Sequence, residues 1–108
     1  MHTPLRYEVL EHVLLVVTLS RPLVAAIQRK DRDLGSQVRR ALNGVGLNVG
    51  TASGNARLRF ETARSSLYEA QAGIRIAIAW GYFSEEYAAP ALRAMDELGG
   101  RVYGLSQR

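Results

Sequence analysis

Residues 43–50 read Asn-Gly-Val-Gly-Leu-Asn-Val-Gly. The glycines at 44, 46 and 50 raise the question of a phosphate-cradling loop, which would imply a nucleotide-binding α/β fold. Such a loop must follow a strand and open a helix, because the helix N-terminus holds the phosphate. Here the preceding residues, SQVRRAL (36–42), are helical in pattern, and no strand comes before them. The stretch therefore reads as the last turns of a helix. Gly44 and Gly46 admit a close neighbour, and Gly50 is a candidate helix stop.

Working outward, period-2 alternation is brief everywhere, whereas 3-4 spacing of apolar residues is sustained. Four helices are expected. The first runs from about Leu5 to Arg29. Leu10, Val13, Val17, Val24 and Ile27 form one stripe, and Val9, Val16, Leu19 and Leu23 form a second beside it. That face is wider than one neighbouring helix can cover. Pro22 predicts a kink or short break, with Ser20 as a cap for the restarted helix. The second runs from about Asp33 to Val49, with Asp31 and Asp33 as capping candidates. Its buried face is Leu34, Val38, Ala41, Leu42, Val45 and Val49.

The third helix is the clearest, from about Ala56 to Trp80. Phe60, Ala63, Leu67, Ala70, Ile74 and Ala77 keep a strict seam, and Gly81 is the natural left-handed residue beyond its end. The fourth runs from Glu85 to Ser106, capped by Ser84, with Ala88, Ala91, Met95, Leu98, Val102 and Leu105 inward. Gly99-Gly100 in mid-helix costs about 1 kcal/mol per glycine relative to alanine. That marks either a close approach to the backbone or a simple weakness. The links are short except GTASGN (50–55), so the expected fold is all-α, a left-handed antiparallel up-down-up-down four-helix bundle over residues 1–108.

The 108 residues suffice for one domain and one core. No apolar run approaches the roughly 20 residues that span a membrane. The longest, VLLVVTL from Val13 to Leu19, has the length of a buried helix segment. No signal peptide is recognisable. The chain has no cysteine, which excludes disulfides and thiol chemistry and fits a cytoplasmic setting. Formal net charge is +4 and Lys30 is the only lysine among 14 basic residues. Arginine suits phosphate and carboxylate recognition, but genomic composition also supplies it.

Catalytic chemistry finds little to build on. A di-iron bundle needs paired Glu-x-x-His motifs. The only histidines, His2 and His12, lack a glutamate three residues before them. His12 reads as a surface or interface side chain. Ser65-Ser66 has no evident activating base. Ser66 is expected to bond back to a carbonyl one turn earlier, and Glu69 to form a buried pair with Arg39 or Arg40. Neither a metal, a cofactor nor an enzymatic activity is expected.

The segments LGSQVRRA (34–41), ARSSLYEAQ (63–71), WGYFSEEY (80–87) and RVYGLSQ (101–107) occur in this order. Together they resemble the four-helix-bundle protein family also called 23S rRNA intervening-sequence proteins, from Leu34 to the end of the chain. Positions carried over are Gln37, Arg39, Arg40, Asn48, Ser66, Leu67, Glu69, Gly81 and Tyr82. Gln37, Asn48, Ser66 and Glu69 would be structural polar residues. The chain departs from the family where Asn-Ile-Ala-Glu-Gly is replaced by Asn48-Val49-Gly50-Thr51-Ala52, and where Ser65 replaces a glycine. The loop before the third helix is also shorter. The resemblance implies a ring-shaped homo-oligomer, a homopentamer. Through the accessory protein of diversity-generating retroelements, it also implies a basic surface for RNA, DNA or a reverse transcriptase.

The residues themselves supply one candidate surface. Arg57, Arg64 and Arg75 lie within about 20° of one line on the third helix at 100° per residue, and Tyr68 joins them. With Arg39 and Arg40 they are the candidate nucleic-acid contacts. Glu61, four residues from Arg57 and three from Arg64, would partly neutralise the row. The alternatives are a solvated helix face, arginines in subunit contacts, and a protein-recruiting scaffold that never touches nucleic acid.

Overall fold

The computed structural model describes residues 5–52 and 55–108. It holds four α-helices and, among the described residues, no strand: α1 Leu5–Lys30, α2 Arg32–Gly50, α3 Ala56–Ala79 and α4 Glu85–Ser106. Each helix packs on its neighbours in sequence, and α1 also packs on α4, which closes a four-helix bundle. At 1.5 Å per residue the 26 residues of α1 span about 39 Å, which accounts for most of the 44 Å long axis.

The connections explain the helix ends. Asp31 alone links α1 to α2, in extended geometry. Its Oδ1 accepts from the Leu34 N–H at 3.0 Å, satisfying one of the unpaired donors of the new helix. So tight a turn forces the two helices together at once. The Cα and N of Gln28 lie 3.0 Å from where a Cβ of Gly35 would sit, and Gln28 Cγ fills that space outright. At the far end of α3, Gly81 has φ +81°, the one positive φ among the described residues. Its N–H donates to the Ile78 carbonyl at 2.9 Å and the Tyr82 N–H to the Ala77 carbonyl at 3.0 Å, a Schellman stop. Ser84 Oγ then accepts from the Tyr87 N–H at 3.0 Å and starts α4. Asn55 caps α3, while Ser53 and Gly54 of the expected loop lie outside the described residues.

The core follows the 3-4 spacing of the sequence. Val38, Ala41, Leu42, Val45 and Val49 of α2 are buried, as are all six seam residues of α3 and the six inward residues expected of α4. Leu34 is only half-buried. Gly73, between Ala70 and Ile74, is buried as well, and Val38 Cγ2 occupies the place of its missing Cβ. Away from the α1–α2 turn, this is the tightest of the glycine contacts between helices. Gly44 meets Ser66 Oγ at 3.1 Å from its Cβ position, whereas Gly46 is only in ordinary contact with Val13.

Three expectations for α1 are corrected. The helix does not break at Pro22. Pro22 is exposed, so the ring and the carbonyl it leaves unpaired face water and the inner face continues. Ser20 is therefore not a cap: it sits mid-helix, fully buried, and its Oγ has no hydrogen-bond partner. The run Val13–Leu19 is not a buried segment either. Val13 and Val16 are inside, but Leu14 and Leu15 are 56% and 51% exposed. Residues Tyr7–Lys30 are also long and apolar enough to cross a membrane by length and composition, although no single uninterrupted run is. In the bundle this helix supplies Val9, Val13, Val16, Leu23 and Ile27 to the core.

The packing makes the glycines and Ser20 informative sites for substitution. Gly73→Ala drives a methyl into Val38 and lowers unfolding free energy by about 1–3 kcal/mol in chemical denaturation. Gly100→Ala, which meets nothing within 4 Å, raises it by up to about 1 kcal/mol. Ser20→Ala removes an unpaired buried hydroxyl and leaves the denaturation midpoint unchanged or higher. A fall in the midpoint would mean that the hydroxyl is bonded in solution.

Candidate nucleic-acid interface

Residues 57, 61, 64, 68, 71 and 75 of α3 recur at intervals of four and three, so they share one outward face. The face lies beside α4. Arg57 and Glu61 pair through Nε and Oε1 at 3.3 Å, with both side chains largely exposed. The pair holds the side chains loosely and contributes little to stability. It neutralises that end of the row, as the sequence suggested.

Arg64 is held differently. Its Nε donates to the Tyr68 hydroxyl at 3.0 Å. Its guanidinium carbon lies 5.4 Å from the Tyr68 ring centroid and 4.6 Å from that of Tyr103 on α4. Both distances are in cation–π range. Among the described residues no carboxylate lies within ion-pair distance of Arg64. Two aromatic rings thus fix the guanidinium plane, while both terminal nitrogens keep their donors. Seven residues beyond Arg64, about two helical turns, Gln71 Nε2 donates to Asp96 Oδ1 of α4 at 2.8 Å. Arg75 is exposed one turn beyond.

Between these side chains runs a groove floored by Met95, Gly99 and Gly100 and walled by Arg64, Tyr68, Gln71, Asp96 and Tyr103. A Cβ at Gly99 would make ordinary contact with Leu67 at 3.6 Å, and one at Gly100 would meet nothing. No helix contact requires glycine at 100; its missing side chain opens the groove instead.

The other candidates stand apart from this face. Arg39 lines a cleft between α1 and α2 with Arg21, Gln28 and Asn43, and Arg40 is exposed. Glu69 is exposed and forms no buried pair with either; the ion pair among the described residues is Arg57–Glu61. A pair between α3 and α2 would need Glu69 to point inward, but its neighbour Ala70 holds that position. Ser66 makes no backbone bond among the described residues and instead packs against Gly44. Asn48 donates to the Gly44 carbonyl at 2.8 Å, and Gln37 to Asp33 Oδ2 at 3.0 Å, both within α2. His12 is half-buried, its Nδ1 3.3 Å from Arg101 Nη1 on α4, and His2 lies outside the described residues. No group of three or more metal-ligating side chains occurs among the described residues.

Tyr103, Gln71, Asp96 and Gly100 were not foreseen as part of this surface. Only the register of α4 against α3 brings them to Arg64, and a single-helix periodicity carries no such register. No protein-family pattern, curated protein or solved structure matches the chain.

Proposed function

We propose that this chain is a non-enzymatic binding or scaffolding module, a homo-oligomeric four-helix bundle whose α3–α4 face engages nucleic acid or a protein that handles it. The observation that carries this reading is Arg64, fixed by Tyr68 and Tyr103, with no carboxylate partner and no partner to its terminal donors among the described residues. A guanidinium held in one plane suits bidentate contact with phosphate. Arg57 and Arg75 extend the same row, and the net charge of +4 favours polyanions.

The topology proposed is antiparallel, up-down-up-down and left-handed. In support, Gly46 and Gly50 of α2 face Val13 and Leu10 of α1, and Gly44 and Gly73 of the α2–α3 pair face Ser66 and Val38. In each pair one number rises as the other falls. The ordered segments shared with the 23S rRNA intervening-sequence proteins support the same bundle and a pentameric ring. A ring is built head to tail, so each protomer must offer two different patches. The flanks of α1 supply them: Leu10, Leu14 and Val17 with Leu47 of α2 on one side, Leu15 and Leu19 on the other. Leu47 is 64% exposed. The same leucines favour a second reading, a ring that recruits a protein partner and makes no nucleic-acid contact.

Binding of a labelled RNA or DNA is expected to weaken more than about tenfold between roughly 50 and 200 mM salt. Arg64→Glu with Arg75→Glu reduces binding and lowers the salt slope by about 0.7–0.9 for each arginine that meets a phosphate, with the oligomer intact. No binding at low salt leaves the protein-scaffold reading in its place. Leu14→Glu with Leu47→Glu is expected to convert the oligomer to smaller species in sedimentation velocity while the helical circular dichroism is retained. An unchanged mass would exclude that flank of α1 from the interface.

A further inference from the structure

We infer that the α3–α4 groove is a pocket for one unpaired base of a single-stranded nucleic acid, with preference for bases that carry an exocyclic amine. This rests on the nucleic-acid reading and specifies the form of the ligand. Three observations lead to it, and each concerns a different part of a nucleotide.

The first is the floor. A glycine pair in mid-helix weakens α4, and packing does not call for it at Gly100, where an added Cβ would find open space. Backbone without side chains admits a flat ring edge-on or face-on at van der Waals distance. The second is the wall. Tyr68 and Tyr103 are each about half exposed, at 50% and 46%, although large aromatic surfaces gain from burial. Arg64 covers one side of each ring, and their exposed remainder with the guanidinium plane lines the groove with π-surface, the means by which unpaired bases are held irrespective of sequence. A base inside a duplex cannot reach a pocket of this kind, because its faces are already stacked.

The third is the charge pattern. Arg64 stands at one end of the groove, level with Tyr103, and Asp96 lies seven residues, about two turns, along α4 from Tyr103. Gln71 occupies Asp96 Oδ1, and Oδ2 has no partner among the described residues. A carboxylate repels phosphate, so the sugar–phosphate chain tracks Arg64 and Arg75 of α3, away from the Arg57–Glu61 pair, and the base points toward α4. There the free carboxylate oxygen accepts from an amino group. Cytosine, adenine and guanine offer one; uracil and thymine offer only an N3–H, flanked on both sides by carbonyl oxygens that the carboxylate repels.

The test is fluorescence anisotropy with labelled oligocytidine and oligouridine of about 15 nucleotides, a length within reach of such sites, and a duplex of equal length. Single-stranded oligocytidine is expected to bind at least about fivefold tighter than oligouridine and about tenfold tighter than duplex, since a stacked and correctly paired base is worth that order of discrimination. Gly100→Leu fills the groove with a good helix former, so folding is preserved. It and Tyr103→Ala each weaken oligocytidine binding about tenfold without altering the salt slope, because neither removes a phosphate contact. Asp96→Asn narrows the cytosine preference. Equal affinity for duplex and single strand, equal affinity for the two homopolymers, or parental binding by Gly100→Leu and Tyr103→Ala overturns the base pocket. Salt-dependent, arginine-dependent binding would then still support the broader reading. No binding of any nucleic acid at low salt overturns both.

Discussion

The contact between Gly73 and Val38 governs how the bundle is built. With no Cβ at 73, α2 settles against the α3 backbone, and Val38 takes the vacated space. The alanines at 63, 70 and 77 keep the rest of that inner face thin. Helices this close leave a narrow interior, which Leu67, Ile74, Met95 and Leu98 fill. A narrow interior accepts one apolar stripe from each helix. Helix α1 carries nearly two, so its surplus leucines remain outside. The exposed face of α1 is thus the geometric counterpart of the small residues on α3.

Local chemistry made much of the architecture legible. Ser84 and Gly81 fix the α3–α4 junction through backbone groups that only their own neighbours can satisfy, and such signals are written in a few consecutive residues. The α4 limits and the seams of α3 and α4 were readable for that reason. Pro22 misled because its effect depends on which side of the helix it occupies, and the solvent side tolerates it. The glycines misled similarly. Gly46 is a conspicuous part of a motif yet makes only ordinary contact, whereas Gly73, inconspicuous in sequence, has Val38 where its Cβ would stand.

The candidate site divides along the same line. The arginine row of α3 belongs to one helix and follows from 3.6-residue periodicity. Its completion by Tyr103 and by the Gln71–Asp96 bond belongs to a helix pair, and depends on a register that no single segment encodes. The expected partner of Glu69 failed for the same cause: carboxylate and guanidinium were placed on neighbouring helices, but not on facing sides. The result is a molecule with two distinct surfaces that share no helix, an apolar one on α1 and α2 and a polar, aromatic one on α3 and α4. Under the proposed function, assembly through the first and recognition through the second are free to vary independently.

The pairing of α1 with α4 has a consequence for how the chain reaches its native form. The other extensive helix contacts join sequence neighbours, but His12 and Arg101 are 89 residues apart. Closing so long a span carries more chain entropy than forming the hairpin-like pairs within it. On a ribosome adding about 5–20 residues per second, α4 emerges some 4–15 s after α1 is complete. During that interval α1, α2 and then α3 emerge, and the inner valines of α1 lack the cover that α4 supplies. The speed of α4 docking therefore sets how long that apolar surface of α1 stays open to water.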